Sequence, residues 1–151
     1  MTTPISILRN RGIRPRKHLG QSFLQDLNIA NKIVDCADIR TDETVVEIGA
    51  GLGTMTDLMA VKARRVVALD VDPIMVDILS ERLARFNNVD VVETDVLKYD
   101  FSSVLPPHSS EKLKIIGNVP YHISSPILFR LLDFRRYISD RKSTRLNSSH
   151  T

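Results

Sequence analysis

Val45-Val46-Glu47-Ile48-Gly49-Ala50-Gly51-Leu52-Gly53 is the stretch on which the reading of the fold turns. Thr44–Ile48, rich in β-branched side chains, reads as a buried strand, and a helical pattern near Thr54–Val61 follows it. Between the two lie three glycines in five residues. Without a Cβ, glycine takes the positive φ values that a strand-to-helix turn demands, and its backbone can approach a ligand closely. A nucleotide-like ligand fits such a turn, because it would meet the free N–H groups of the helix start.

The same alternation continues outward. Runs at Arg65–Asp70, Val89–Thr94 and Lys114–Gly117 read as strands, and Pro73–Phe86 reads as a helix. Before the first strand, Phe23–Ile39 places Phe23, Leu24, Leu27, Ala30, Ile33, Val34 and Ala37 on one helical stripe. Pro106-Pro107-His108-Ser109-Ser110 predicts an extended loop, and Pro126 is expected in the first turn of a last helix with Ile127, Leu128, Leu131, Leu132 and Phe134 on its apolar stripe. Strand alternating with helix predicts an α/β, doubly wound, mostly parallel, Rossmann-like sheet. It is expected to stop after the fourth strand and its helix, leaving that strand's outer edge unpaired and one face thinly covered. The expected organisation is a basic arm at 1–22, a partial ligand-binding domain at 23–140 and a tail at 141–151. The string Arg141-Lys142-Ser143-Thr144-Arg145-Leu146-Asn147-Ser148-Ser149-His150 resembles translated adapter sequence and is set aside from the fold.

Composition excludes several classes. With 151 residues, 42% hydrophobic and 26% charged, the chain can bury one core. No run approaches the roughly 20 apolar residues of a spanning helix, and the first residues lack a signal-peptide apolar region, so a cytoplasmic location is expected. The lone Cys36 forms no internal disulfide and reads as a small buried helix residue, while His18, His108, His122 and His150 have no zinc-ligand spacing; no metal is expected. His122, beside Tyr121, reads as a packing or surface residue. Charge is polarised. Residues 1–25 hold no acid and carry +5 from Arg9, Arg11, Arg14, Arg16 and Lys17, and residues 141–151 carry +3, leaving −5 on the middle of a chain whose net charge is +3. A basic arm before an acidic globule fits a polyanion partner such as RNA.

Further chemistry is carried by the strand ends. Asp70 closes the second strand, where an acid accepts hydrogen bonds from ribose hydroxyls. The G-x-G-x-G spacing lacks the G-x-G-x-x-G start that cradles a pyrophosphate, which favours S-adenosyl-L-methionine over a dinucleotide. Asp95, after the third strand, is placed to accept from the adenine amine of that donor. Asn118-Val119-Pro120-Tyr121 ends the fourth strand. If the methyl acceptor is an exocyclic amine, its delocalised lone pair makes it a weak nucleophile, and the site needs acceptors for both N–H groups. The Asn118 side chain and the Val119 carbonyl can supply them, Pro120 fixes the bend, and Tyr121 offers a π-face to an extruded base. In-line displacement at a sulfonium methyl needs positioning and no protein nucleophile, so Cys36 has no required role.

With those residues in view, the chain from Arg14 to Tyr137 resembles the ribosomal RNA adenine dimethyltransferases, which modify adjacent adenosines near the 3′ end of small-subunit RNA. Arg16-Lys17-His18-Leu19-Gly20-Gln21-Ser22-Phe23-Leu24 is similar to the family's first motif, Gly49–Gly53 to its donor loop, and Asn118–Ser124 to its catalytic motif. The resemblance implies that Ser22 and Leu24 border the methionine part of S-adenosylmethionine and that Gly49 and Gly51 pass under it. Asp70 would hold the ribose, Asp95 the adenine, and Asn118 with Tyr121 the target base. It departs from the family at Ser22, commonly Asn; at Ala50, commonly Pro; at Asp70, commonly Glu; and at Val119, often Leu. The later strands, a further base-stacking aromatic and the RNA-gripping helical domain of that family have no counterpart in this chain. The implied partner is ribosomal RNA in a small-subunit precursor, bound by a protein expected to be monomeric in its full-length form, without membrane or metal. Three other readings stay open: a large-subunit rRNA adenine methyltransferase, a nucleotide-dependent oxidoreductase, and a non-catalytic RNA-binding or ribosome-assembly module.

Overall fold

β1 (Thr44–Ile48), β2 (Arg65–Asp70), β3 (Val89–Glu93), β4 (Leu113–Pro120) and β5 (Arg145–Ser149) form one sheet in the computed structural model, which describes residues 27–139 and 145–149. The order is β3-β2-β1-β4-β5 and every pairing is parallel. All five residues of β1 are buried, as expected for a central strand covered on both faces. β3 has no fully buried residue, its side chains being half-buried or exposed, because it lies at the sheet's edge.

Helices cover both faces. α1 (Leu27–Cys36) and α2 (Thr54–Lys62) pack Ala30, Val34, Met55 and Met59 against Val45, Val66 and Ile116. α3 (Pro73–Arg82) adds Leu79 beside Ala68. α4 (Tyr121–Asp133) covers the opposite face, where Ile127 and Leu131 join Val46, Val67, Leu69, Ile115 and Phe101. Leu128, Phe129 and Leu132 on its other side are exposed, while the sheet residues beneath the helix are buried.

Local chemistry explains the boundaries. Asp72 caps α3 by accepting from the Ile74 amide at 2.9 Å, and Pro73 takes the first helical position, where its missing N–H costs no bond. The helix ends at Arg82 rather than near Phe86. The Phe86 amide turns back to the Leu83 carbonyl, and the Asn88 side chain ties the following turn to the carbonyls of Ala60 and Ala63.

Three expectations are corrected. Cys36 is exposed, because the buried stripe of α1 runs through Ala30 and Val34 and the last residue of that helix falls off it. α4 starts at Tyr121, which puts Pro126 inside the helix rather than in its opening turn. The loss is a single bond, to the His122 carbonyl, within the first two turns. Finally, β4 does not have a free outer edge: Ile116–Pro120 pairs with Arg145–Ser149, part of the segment set aside on composition. Ladder pairing uses only backbone N–H and C=O groups, so it needs no apolar period in the added strand.

Among the described residues no helix is long and apolar enough to cross a membrane. Nor do three His, Cys, Asp or Glu residues gather there to hold a metal ion.

One buried cation braces the end of the sheet opposite the glycine turn. Lys114 is only 3% exposed, and its Nζ donates to the carbonyls of Ala37 at 2.6 Å and Asp38 at 2.9 Å and to Glu43 Oε1 at 3.0 Å. Replacing it with methionine strands these acceptors. Lys114→Met is expected to lower the unfolding free energy by about 2–3 kcal/mol in a denaturant titration. A change too small to measure would show that the brace carries no load.

Candidate active site

The glycine turn lies where the sheet order reverses, β1 being flanked by β2 on one side and β4 on the other. Open α/β sheets bind ligands at the carboxyl ends of their strands at such a point. Gly49, Gly51 and Gly53 all take left-handed conformations, with φ of 68°, 58° and 83°. The amides of Gly49 and Ala50 both donate to the Leu69 carbonyl at 3.0 Å, and the Gly51 amide donates to Asp70 Oδ2 at 2.8 Å. Gly53 is doubly constrained, since a Cβ there would come within 2.9 Å of Leu79 Cδ2. It is also the residue before α2, and no side chain caps that helix start. First-turn N–H groups are therefore left for water or a ligand.

The predicted acids stand along the same rim. Asp70 is 7% exposed; its Oδ1 accepts from the Asp72 amide at 3.0 Å while Oδ2 holds Gly51. Burial raises its pKa, and the backbone bonds from Asp72 and Gly51 pull the other way. Each oxygen retains a lone pair, so the carboxylate that shapes the turn can still accept from two hydroxyls. Asp95 caps the short turn Val96–Lys98 through the Leu97 amide at 2.9 Å, which engages only one of its oxygens. Two apolar side chains also lie bare near the strand ends, Val71 directly after β2 and Leu97 beyond β3, at 51% and 40% exposure.

Gly117 of β4 pairs with Ile48 of β1, so Asn118 comes level with the start of the glycine turn. Tyr121, the first residue of α4, follows two residues later along the chain from Val119. Asn118 and Tyr121 are thus brought to the same sheet edge as Gly49, Gly51, Asp70 and Asp95. The side chains of residues 118–124, His122 among them, and the whole of Ser22, Leu24 and the basic arm lie outside what the structure describes.

Glu47 is the residue that pattern reading passed over. Its side chain sits within β1 at 1% exposure, where Oε1 accepts the Thr56 hydroxyl of α2. Burial, with smaller contributions from the negative charges of Asp70 and Asp57, pushes its pKa up to about 8 against the lowering effect of the Thr56 bond. The signal was present in the sequence: an acid in the middle of a strand that must be covered on both faces.

The sign of the effect follows. A folded-state pKa above the unfolded value means that stability is greatest below the ordinary carboxyl range and is lost as pH rises toward 8. Glu47→Gln should abolish this loss. Between pH 5 and 8 the Tm of the variant is expected to rise relative to wild type by roughly 10 °C. Parallel Tm curves for the two proteins would contradict the burial argument.

A doubly wound parallel sheet with a glycine turn and an acid on the neighbouring strand defines a class of α/β domain built to hold a nucleoside-type ligand. The family model for ribosomal RNA adenine dimethylase matches residues 12–146, and the chain belongs to that family. It is 54% identical over 139 residues to the ribosomal RNA small subunit methyltransferase A of Syntrophus aciditrophicus, a match covering 92% of this chain and 50% of that protein. Among solved structures, the 23S rRNA methyltransferase ErmE is similar at 33% identity and TM-score 0.65, over 74% of this chain and 43% of that one. A dimethyladenosine transferase from Plasmodium falciparum is similar at 31% identity and TM-score 0.65, over 78% and 40%. The Rossmann-like methyltransferase fold is thereby established, and the chain spans about half the length of the curated relatives it matches.

Proposed function

We propose that the chain carries the donor-binding half of a cytoplasmic enzyme that dimethylates N6 of adenosines near the 3′ end of small-subunit ribosomal RNA, using S-adenosylmethionine. The observation that carries the reading is the left-handed glycine turn tied to Asp70 at the switch point of the sheet. The residues present fit the donor. Asp70 would hold its ribose hydroxyls, Asp95 its adenine amine, and Val71 and Leu97 would flank the ring. Gly49 and Gly51 would pass beneath the methionine portion, with Ser22 and Leu24 at its border. When bound there, the donor supplies a methyl group activated by a sulfonium.

The remaining work belongs to the chain. Asn118 and the Val119 carbonyl are assigned to accept the two N–H groups of the target amine, localising its lone pair for attack. Tyr121 is assigned to stack on the base, a contact worth roughly 1–3 kcal/mol. Positioning supplies the acceleration, and no side-chain nucleophile is called for. The basic arm suits the RNA phosphates of a small-subunit precursor, and the whole protein is proposed to work as a monomer in ribosome biogenesis.

The likeness to ErmE, named as a 23S rRNA methyltransferase, favours large-subunit RNA as the second reading. Labelled methyl transfer separates the two, using the chain extended by the half its curated relatives carry. Undermethylated small subunits should accept label and large subunits should not; the reverse result selects the second reading. In that protein Asn118→Ala is expected to leave donor affinity within about twofold while lowering transfer at least about 100-fold, as for an acceptor used in the transition state. Equal loss of both would remove Asn118 from the acceptor site.

A further inference from the structure

The glycine turn is held from two sides, and only one of them was visible in the motif. On the β2 side the holders are the Leu69 carbonyl and the Asp70 carboxylate. On the other side stands Arg82, the last residue of α3. Its Nη1 donates to the carbonyl of Leu52 within the turn, and its Nη2 donates to Asp57 Oδ2 at 2.7 Å. The pair is largely shielded, with side-chain exposures of 28% for Arg82 and 24% for Asp57. Arg85 reaches the same Asp57 oxygen only at 3.7 Å and is itself 59% exposed, so it is the weaker partner.

Gly53 makes room for this arrangement. A Cβ at that position would lie 3.1 Å from Arg82 Nη1, so the guanidinium packs directly against the bare backbone of the turn. A planar fork suits the place because one branch must meet a carbonyl while another meets a carboxylate; the compact ammonium of lysine has no such fixed fork. Fixing the Leu52 carbonyl fixes the peptide plane shared with Gly53, and with it the direction of the Gly53 N–H, which donates to the Ala50 carbonyl at 3.0 Å.

We propose that Arg82, oriented by Asp57, is a positioning residue that sets the glycine turn in its ligand-binding conformation from the α3 side. The effect on ligand affinity rests on the donor-binding reading of the turn; the effect on the turn itself does not. Arg82 need not touch the ligand, because it acts through the Leu52–Gly53 peptide.

The test uses the 151-residue chain with Arg82→Met, which keeps the aliphatic stem, Arg82→Lys and Asp57→Asn. Two readouts are taken well below each Tm: hydrogen exchange of the Gly51 and Gly53 amides without ligand, and calorimetric titration with S-adenosylhomocysteine. Arg82→Met should speed exchange at these amides about tenfold or more while strand amides of β1 and β2 keep their rates, and should weaken binding about tenfold. Arg82→Lys and Asp57→Asn should fall between it and wild type. A general loss of stability would speed exchange everywhere and would leave no such contrast. Unchanged exchange at Gly51 and Gly53, or wild-type affinity in Arg82→Met, overturns the proposal. If the unaltered chain itself gives no binding heat, the donor reading fails, and the exchange contrast alone decides the role of Arg82. Should Arg82→Met not fold, Asp57→Asn decides by the same two readouts.

Discussion

The hydrogen bond from the Gly51 amide to Asp70 Oδ2, beside those from Gly49 and Ala50 to the Leu69 carbonyl, joins the two strand ends on which the site depends. β1 and β2 run parallel in register from Thr44↔Arg65 to Ile48↔Leu69, so the turn leaving β1 arrives beside the last residue of β2. Because that residue is an acid, the turn can fold back over the sheet with the Gly51 amide satisfied, and a left-handed glycine is the backbone that lets it do so. The same carboxylate keeps lone pairs for hydroxyl groups, which couples the shape of the turn to its capacity to bind.

Around that bond the molecule is arranged in tiers. The sheet core brings the carboxyl ends of β1, β2, β3 and β4 to one rim. Leu79 and Arg82 of α3 press on Gly53, and Asp72 starts α3 with its side chain while its amide braces Asp70. Glu47 lies buried in β1 one residue before the strand's end, joined to the first helical turn of α2 through Thr56. An acid held there with a pKa of about 8 is neutral over much of the ordinary pH range, so it can be buried close to Asp70 without adding a second full negative charge.

Much of this was legible in the sequence because it rests on local rules. β1 and β2 match the β-branched runs residue for residue, and α2 begins at Thr54 directly after the last glycine. The rim positions of Asp70, Asp95 and Asn118 followed from reading each strand to its end. What escaped depends on contacts distant in the chain. Lys114 looks like any strand lysine until Ala37, Asp38 and Glu43 close over it. Arg82 looks like a helix-end charge until Leu52 and Asp57 meet it. A proline ordinarily marks a helix's opening turn, whereas α4 has already begun at Tyr121 and spares one bond at Pro126. β5 escaped because strand pairing draws on the backbone, which composition does not record.

The central claim is that the rim from the glycine turn to Asp95 receives one nucleoside-type donor, and amide chemical shifts test it residue by residue. Titrating isotope-labelled chain with S-adenosylhomocysteine should produce saturable shifts concentrated at Gly49–Gly53, Asp70–Asp72 and Asp95–Leu97, with the Gly51 amide among the largest. Shifts absent from these three segments, or gathered on a different edge of the sheet, would contradict the account.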